Sequence, residues 1–441
     1  MEYKFVKHIN QGGFGIVDEV IDKNGNSFAR KKFELDQNMK DQGMESNAKK
    51  RFIQEAIIQS EFQHKNIVPI LELYLDQDPP YYIMPLAVST LDQDYRTHKI
   101  DSNNFLKPVN DVLSGLEEMH LIDVFHRDLK PGNILRFLDE DGEEFYAIGD
   151  FGLISLRQRT GISNLTTTGM KKGSDFYTAP EITQDLRNAS AATDIYSVGC
   201  IIHDVVGTDE RIPCSTIEET SDYSHFLEIC TRKNPAKRFS SVGALRDVLM
   251  SLEVDTVISS NEKFTKLNEY LDRETESLTD REIGEIIDFI DASTDRTETL
   301  GIFLSIQLKH IDTIRESTLF NKFCGSYLSV LRDYSFQFES CDALANRALR
   351  LVADKPIGNI VEALISLLYL GTSHNRWYVE RKFANKIDKT ADSNMMRRLA
   401  MEFAVEGKKV CEAINHLKYS INLTNNDFHP LISAAVEKFC K

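Results

Sequence analysis

The chain runs to 441 residues, of which 41% are hydrophobic and 27% charged, with a formal net charge of −16 and seven cysteines. That length exceeds one hydrophobic core and predicts about two domains, while the composition excludes wholesale disorder and a collagen- or mucin-like chain. The acidity argues against a broad nucleic-acid-binding surface, and an odd cysteine count without a CxxC pair predicts reduced core thiols in place of a disulfide frame or zinc site.

Taken in chain order, residues 3–9, 16–22 and 28–34 read as short strands, with a hairpin signal in the turn at 23–26 (KNGN). Residues 47–61 read as a helix. From 102 to 120, Phe105, Val109, Val112, Leu113, Leu116 and Met119 recur at spacings of three and four, a buried helical stripe for which Ser102 is the expected N-cap. After about residue 256 only Pro356 and Pro430 remain of the prolines, and helical periodicity takes over. The capping box Thr279–Glu282 precedes Ile283, Ile286, Ile287 and Ile290. Amphipathic segments near 300–314, 318–332, 339–353, 358–371, 376–387, 394–405 and 408–420 complete a prediction of eight to ten antiparallel helices, without a fixed repeat. This part holds 24 Lys and Arg against 27 Asp and Glu, a net of −3, so the remaining −13 belongs to residues 1–255. The most apolar stretches, 195–206 and 360–370, fall short of the roughly 20 residues that span a bilayer. With no signal-peptide core and Glu2 where myristoylation needs glycine, a cytoplasmic protein without membrane contact is expected.

Three segments carry chemistry. Glycines 12, 13 and 15 in the run QGGFG allow a tight strand–turn–strand whose backbone amides approach phosphate oxygens closely, although glycine hairpins without a ligand are common. Lys31, in the strand-like FARK at 28–31, could reach back under that hairpin; a surface lysine on an edge strand is the bland alternative, and Lys32 competes. Glu55, on the helical segment, would fix the Lys31 ammonium by pairing with it, or is an ordinary helix carboxylate. The decisive segment is HRDLKPGN at 126–133, with DFG at 150–152 downstream. Asp128 can accept or orient the proton of a hydroxyl, Lys130 can neutralise a transferring phosphoryl group, and Asn133 and Asp150 offer the hard oxygen ligands that Mg²⁺ prefers.

In this order, and with APE at 179–181, DIYSVG at 194–199 and NPAKR at 234–238, the sequence resembles a eukaryotic-type serine/threonine protein kinase over residues 1–250. The resemblance implies an α+β, two-lobed fold, with a β-rich N-lobe (1–87) and a helical C-lobe (88–255); the periodicity beyond it adds an all-helical domain at 256–441, which the resemblance does not cover. It implies ATP and Mg²⁺ as cofactors, with Mn²⁺ as a substitute. ATP would lie among Gly12, Gly13, Gly15, Val17, Ala29, Lys31 paired with Glu55, the gatekeeper Met84, and the Pro85–Ala87 backbone. Asp128 and Lys130 would be catalytic, and Asn133 and Asp150 would hold metal. His126 would pack on Phe151. Arg127 resembles the arginine that docks a phosphorylated activation loop, here with Thr166, Thr167 and Thr168 as autophosphorylation candidates. Ser174 would face Asp128, Asp194 would support the catalytic loop, and Arg238 would pair with Glu181. Lys130, two residues after Asp128, is the serine/threonine signature. Protein substrates follow, with substrate docking, partner recruitment, self-association or autoinhibition expected of the helical domain and no nucleic-acid partner.

Three departures stand out. Asn10 replaces the first glycine of the loop. Gln59 stands one turn after Glu55, where an apolar side chain usually packs on the DFG phenylalanine, and predicts a loosely held helix. Only 44 residues separate Asp194 from Arg238, so the elements that often dock substrates are shortened. Asn10 and Gln59 support the competing expectation of a catalytically silent kinase-like head on a helical scaffold, and the shortening leads to the expectation that the C-terminal helical domain covers or replaces the docking surface.

Overall fold

The computed structural model describes residues 3–12, 15–35, 45–151, 176–183, 185–252, 261–273, 277–293 and 295–440. The chain forms two compact units, 1–245 and 246–441.

The first unit opens with an antiparallel sheet of order β1-β2-β3-β5-β4. Its strands are Lys4–Gly12, Gly15–Ile21, Ser27–Phe33, Glu72–Tyr74 (β4) and Tyr81–Pro85 (β5). The β2–β3 register is unbroken from Gly15↔Phe33 to Ile21↔Ser27. One face of this sheet is covered by α1 (Glu45–Ser60), whose Phe52 ring lies 5.7 Å from Phe33 and 5.6 Å from Tyr82. Aromatic pairs at such separations add to the area they bury.

The rest of the unit is helical around a small sheet of β6 (Ser89–Thr90), β7 (Ile134–Leu138) and β8 (Glu144–Ile148). Helix α2 (Leu91–Arg96) follows a Thr90 capping box, and α3 (Leu106–Leu121) buries the expected apolar stripe. Ser102 does not cap α3: Asp101 and Asn104 close a turn of their own, Asp101 N–H donating to Asn104 Oδ1 at 2.9 Å, and the helix starts only after Phe105. A β-carbon on Gly115 would come within 2.5 Å of Asn66 O, so glycine lets α3 pass against segment 64–68. That segment bonds in turn to β8 through Val68 N–H to Ile148 O (2.9 Å) and Ile148 N–H to Asn66 O (2.9 Å). Helix α4 (Ala191–Val206) is buried along most of its length. Residues 207–223 contain no helix before α5 (Ser224–Thr231), and α6 (Val242–Leu252) follows, with the division between the units falling inside it.

The second unit contains, beyond the end of α6, eleven helices among its described residues, more than the eight to ten expected. They are α7 (Glu262–Leu271), α8 (Asp280–Ala292), α9 (Arg296–Ser305), α10 (Leu308–Arg315), α11 (Phe320–Asp333) and α12 (Ser340–Val352). The others are α13 (Ile357–Ser373), α14 (Trp377–Lys386), α15 (Ser393–Glu406), α16 (Lys408–Ser420) and α17 (Pro430–Phe439). The count rises because Asp295 caps α9 and Gln307 starts a separate α10, cutting one periodic run into two short helices. Thr279 and Glu282 form the expected capping box. Two buried ion pairs join helices here: Arg376 holds Asp342 through two bonds of 2.7 and 2.6 Å, and Arg347 is bonded to Asp247. Asp247 also receives the Leu308 N–H at the start of α10 (2.9 Å). The cysteine expectation needs correction. Cys411 and Cys440 form a disulfide joining α16 to the end of α17, while Cys200, Cys214, Cys230, Cys324 and Cys341 are free. No described helix is long and apolar enough to cross a membrane.

Candidate active site

The catalytic loop is held from below by Asp194, fully buried on α4. Its Oδ2 accepts the His126 N–H (3.0 Å) and its Oδ1 the Arg127 N–H (2.9 Å), and His120 Nε2 lies 2.8 Å from Oδ2. Burial works to raise the Asp194 pKa, but the His120 bond and these amides hold it below the usual carboxylate value, so the anion persists. Two backbone amides on one fixed carboxylate dictate the path of the loop, with Arg127 in the left-handed region (φ 69°).

From this base the side chains converge. Lys130 Nζ donates to Asp128 Oδ2 at 2.7 Å, and Asn133 Nδ2 donates to Asp128 O (2.8 Å) and Oδ2 (3.2 Å). Both Asn133 donor bonds use the nitrogen, which leaves Oδ1 as its ligand oxygen. The Gly149 carbonyl accepts from His126 Nε2 at 3.0 Å, and the His126 ring meets Phe151 edge-on at 5.7 Å. Asp150 follows with φ 55°, a conformation Asp tolerates better than most residues. Its Oδ1 accepts from Lys31 Nζ at 2.6 Å. A carboxylate oxygen pair and an amide oxygen suit a hard divalent cation, so Asn133 and Asp150 fit Mg²⁺ by their chemistry.

The partner of Lys31 is a correction: the expected ion pair with Glu55 is not made, and Asp150 takes its place. Burial opposes the Lys31 charge, but Asp150 holds its pKa above the ordinary lysine value; burial likewise opposes the Asp150 charge, and Lys31 carries its pKa below the usual range. Glu55 sits close by with its Oε1 3.4 Å from Arg51 Nε and without a hydrogen-bond partner. Burial pushes its carboxyl up to about 8, against the lowering pull of Lys31 and Arg51.

Gln59 also behaves differently from expectation. It is buried and donates from Nε2 to the Val68 carbonyl at 2.8 Å, tying α1 to segment 64–68. Phe62, just beyond the helix, packs on Phe151 at 5.7 Å, so contact with the DFG phenylalanine is kept by another residue.

Ala29 and Met84 face each other across the β3–β5 ladder. They belong to one apolar cluster, against which Val17, Leu86, Ala87 and Leu135 pack, half-buried. Leu86, Leu135 and Phe62 are residues the sequence reading passed over; for Leu135 the signal was its place in strand alternation two residues after Asn133. Glu181 and Arg238 meet in a bidentate pair, both bonds 2.8 Å. Gly13, Thr166, Thr167, Thr168 and Ser174 lie outside the described residues. A cavity of about 580 Å³ between the helix-free segment and α5, lined by Glu218, Glu219, His225 and Glu228 among others, touches none of these groups.

Comparison with known proteins matches residues 3–250 to the protein kinase domain model. The chain is 29% identical over 233 residues to mitogen-activated protein kinase 2 of Pneumocystis carinii, covering 51% of this chain and 61% of that one. It is 30% identical over 203 residues to a probable myosin light chain kinase of Dictyostelium discoideum (46% and 49%). It is 31% identical over 203 residues to mitogen-activated protein kinase kinase kinase 1b of Physcomitrium patens (46% and 25%). The chain thus spans between 25% and 61% of the length of these relatives, and each match involves about half of this chain.

Proposed function

The chain belongs to the protein kinase domain family, and we propose that it transfers the γ-phosphoryl group of ATP to serine or threonine hydroxyls of proteins. The observation that carries this reading is a pair of bonded sets, Asp128 with Lys130 and Asn133, and Lys31 with Asp150, joined through the Gly149 N–H donating to Asn133 O at 2.8 Å. Asp128, on a loop anchored by Asp194, accepts the proton of the acceptor hydroxyl as its oxygen bonds to the γ-phosphorus and the bond to the ADP oxygen breaks. Lys130 offsets negative charge on the group in transit, and Lys31 grips the remaining phosphates. Catalysis of this kind rests on positioning and charge neutralisation. Asn133 and Asp150 would hold Mg²⁺, which would supply positive charge to offset that of the phosphates. Adenine would occupy the cleft of Val17, Ala29, Met84 and Leu135, with its edge on the Pro85–Ala87 backbone; Pro85 offers only a carbonyl, which suffices there. Lys130 supports hydroxyl substrates of the serine/threonine type, and Arg127 supports control by phosphorylation at Thr166, Thr167 or Thr168. Residues 256–441 are assigned to recruitment of substrate or partner.

The test is phosphate incorporation from ATP and Mg²⁺, alone and with generic protein substrates, mapped by mass spectrometry. Phosphoserine or phosphothreonine, including the 166–168 cluster, is expected. Phosphotyrosine alone would overturn the substrate class, and no incorporation would favour the silent scaffold.

A further inference from the structure

Arg211 lies in the helix-free stretch 207–223, between α4 and α5, yet its side chain is only 9% exposed. Its Nε donates to Phe176 O at 3.2 Å and its Nη1 to Cys200 O at 3.2 Å, and it is ion-paired with Asp204. The guanidinium carbon lies 4.8 Å from the centre of the Tyr177 ring, whose hydroxyl donates to Asp204 Oδ2 at 2.6 Å. Burial opposes the Arg211 charge, but Asp204 keeps its pKa above the ordinary arginine value, so the cation persists. Cys200 and Asp204 belong to α4, as does Ser197, whose Oγ donates to Tyr177 O at 2.8 Å. Asp194, which holds the catalytic loop, stands near the start of the same helix, about 15 Å of helix rise from Asp204. One rigid element therefore carries both the catalytic loop and the Phe176–Tyr177 segment. A brace that served only the interior would bury what it holds. Phe176 is instead 48% exposed, and Ile212, next to Arg211, is 72% exposed.

We propose that Arg211 is a positioning residue for the protein acceptor: it fixes Phe176 against α4, and the exposed Phe176 ring contacts an apolar side chain of the acceptor beside the hydroxyl that takes the phosphoryl group. The inference rests on the kinase reading above and gives that site a determinant of substrate choice. The guanidinium fork serves two carbonyls and a carboxylate together, which the point charge of a lysine cannot do. Because Phe176 O accepts from a charged donor, the backbone that carries the ring is held relative to α4, and through Asp194 relative to Asp128. The Arg211 guanidinium over the Tyr177 ring adds to the same restraint. Glu181 and Arg238 secure the chain five residues further on, so the segment is tied at both ends. The short stretch between Asp194 and Arg238 thus supplies, from a segment without a helix, the tie that orients the acceptor. An apolar side chain is the occupant because the ring carries no charge and buries area on contact.

The experiment uses the full chain, as wild type, Arg211→Gln, Arg211→Lys and Phe176→Ala, on a degenerate library of serine- and threonine-centred peptides with ATP and Mg²⁺. It reads side-chain preference around the hydroxyl, the KM for the preferred peptide and the KM for ATP. Wild type is expected to favour an apolar side chain at one position beside the hydroxyl. Phe176→Ala should flatten that preference and raise the peptide KM about threefold to tenfold, the worth of one aromatic contact. Arg211→Gln should flatten the same position and raise the peptide KM about tenfold, the worth of one charge-assisted bond, with the KM for ATP within about twofold of wild type. Arg211→Lys should stay closer to Arg211→Gln than to wild type. Loss of the preference while the ring is still present is the diagnostic, because a merely structural loss lowers transfer to all peptides alike. A preference retained in Arg211→Gln, or a uniform fall in rate with the peptide KM unchanged, would overturn the positioning role. Phe176→Ala, a change at an exposed ring, tests the contact even where Arg211→Gln melts early, and a wild-type preference in it would overturn the contact. Transfer by wild type without any apolar preference would overturn the proposal and leave the kinase reading intact. No transfer to any peptide by wild type would overturn both.

Discussion

The charges that line the cleft of the first unit are arranged differently from the ion pairs that brace the second. In residues 246–441, Arg376 grips Asp342 with two bonds and Arg347 is bonded to Asp247, partners 34 and 100 residues apart in sequence. Arg and carboxylate are matched there, and the pairs lock helices together. Residues 1–245 contain a comparable bidentate pair in Arg238 and Glu181, but at the cleft Lys31 is bonded to the half-exposed Asp150 while the buried Glu55 keeps an oxygen without a hydrogen bond. A buried pair left intact is a static brace, whereas a buried group kept short of its partner is a place where a ligand changes the energy balance. The contrast sets the cleft of the first unit apart from the braced helices of the second.

The sharpest break of that contrast is Asp150→Ala, which removes a metal oxygen and the partner of Lys31. Transfer should fall by about 10³ or more, on the scale of losing a charge-stabilising group, as measured by initial rates. In the second unit, Asp247→Ala should cost about 3–5 kcal/mol by stranding Arg347, read as an earlier melting transition of residues 246–441. Reducing Cys411–Cys440, or Cys440→Ser, should cost about 2–4 kcal/mol through the freed loop, checked by melting with and without reductant. Gln59→Leu should cost only about 1 kcal/mol, the worth of one buried hydrogen bond, in denaturant titration.

Glu55 sharpens the comparison through pH. Its folded pKa of about 8 lies above the usual 4.5, so the native state keeps a proton that the unfolded chain gives up between those values. Stability should therefore fall as pH rises from about 4.5 to 8 and level off above. Glu55→Gln should remove that slope and melt no lower than wild type at pH 8, while losing transfer activity. A matched pair such as Arg376–Asp342, substituted on either side, should lose stability instead.

Legibility in the sequence followed the same division. His126 to Asn133 could be read because eight contiguous residues carry most of the chemistry, and Asp194 and Arg238 because their motifs keep local spacing. The Lys31 partner could not, since Asp150 is 119 residues away and the choice between it and Glu55 depends on a balance of buried charges. Phe62 was hidden because it lies past the end of α1, outside the helical period. Ser102 lost its capping role to a local Asp101–Asn104 turn. The helical unit was legible as periodicity only: its ion pairs and the Cys411–Cys440 bridge join residues that no spacing rule connects.

The most direct test is single-turnover phosphoryl transfer by the full chain and by Asp128→Asn, with ATP affinity measured in parallel. The account predicts nucleotide affinity within a few-fold of wild type and a transfer rate lower by about 10² or more, the scale of a positioned base. Equal rates in the two proteins, or no transfer by wild type at saturating ATP and Mg²⁺, would contradict it.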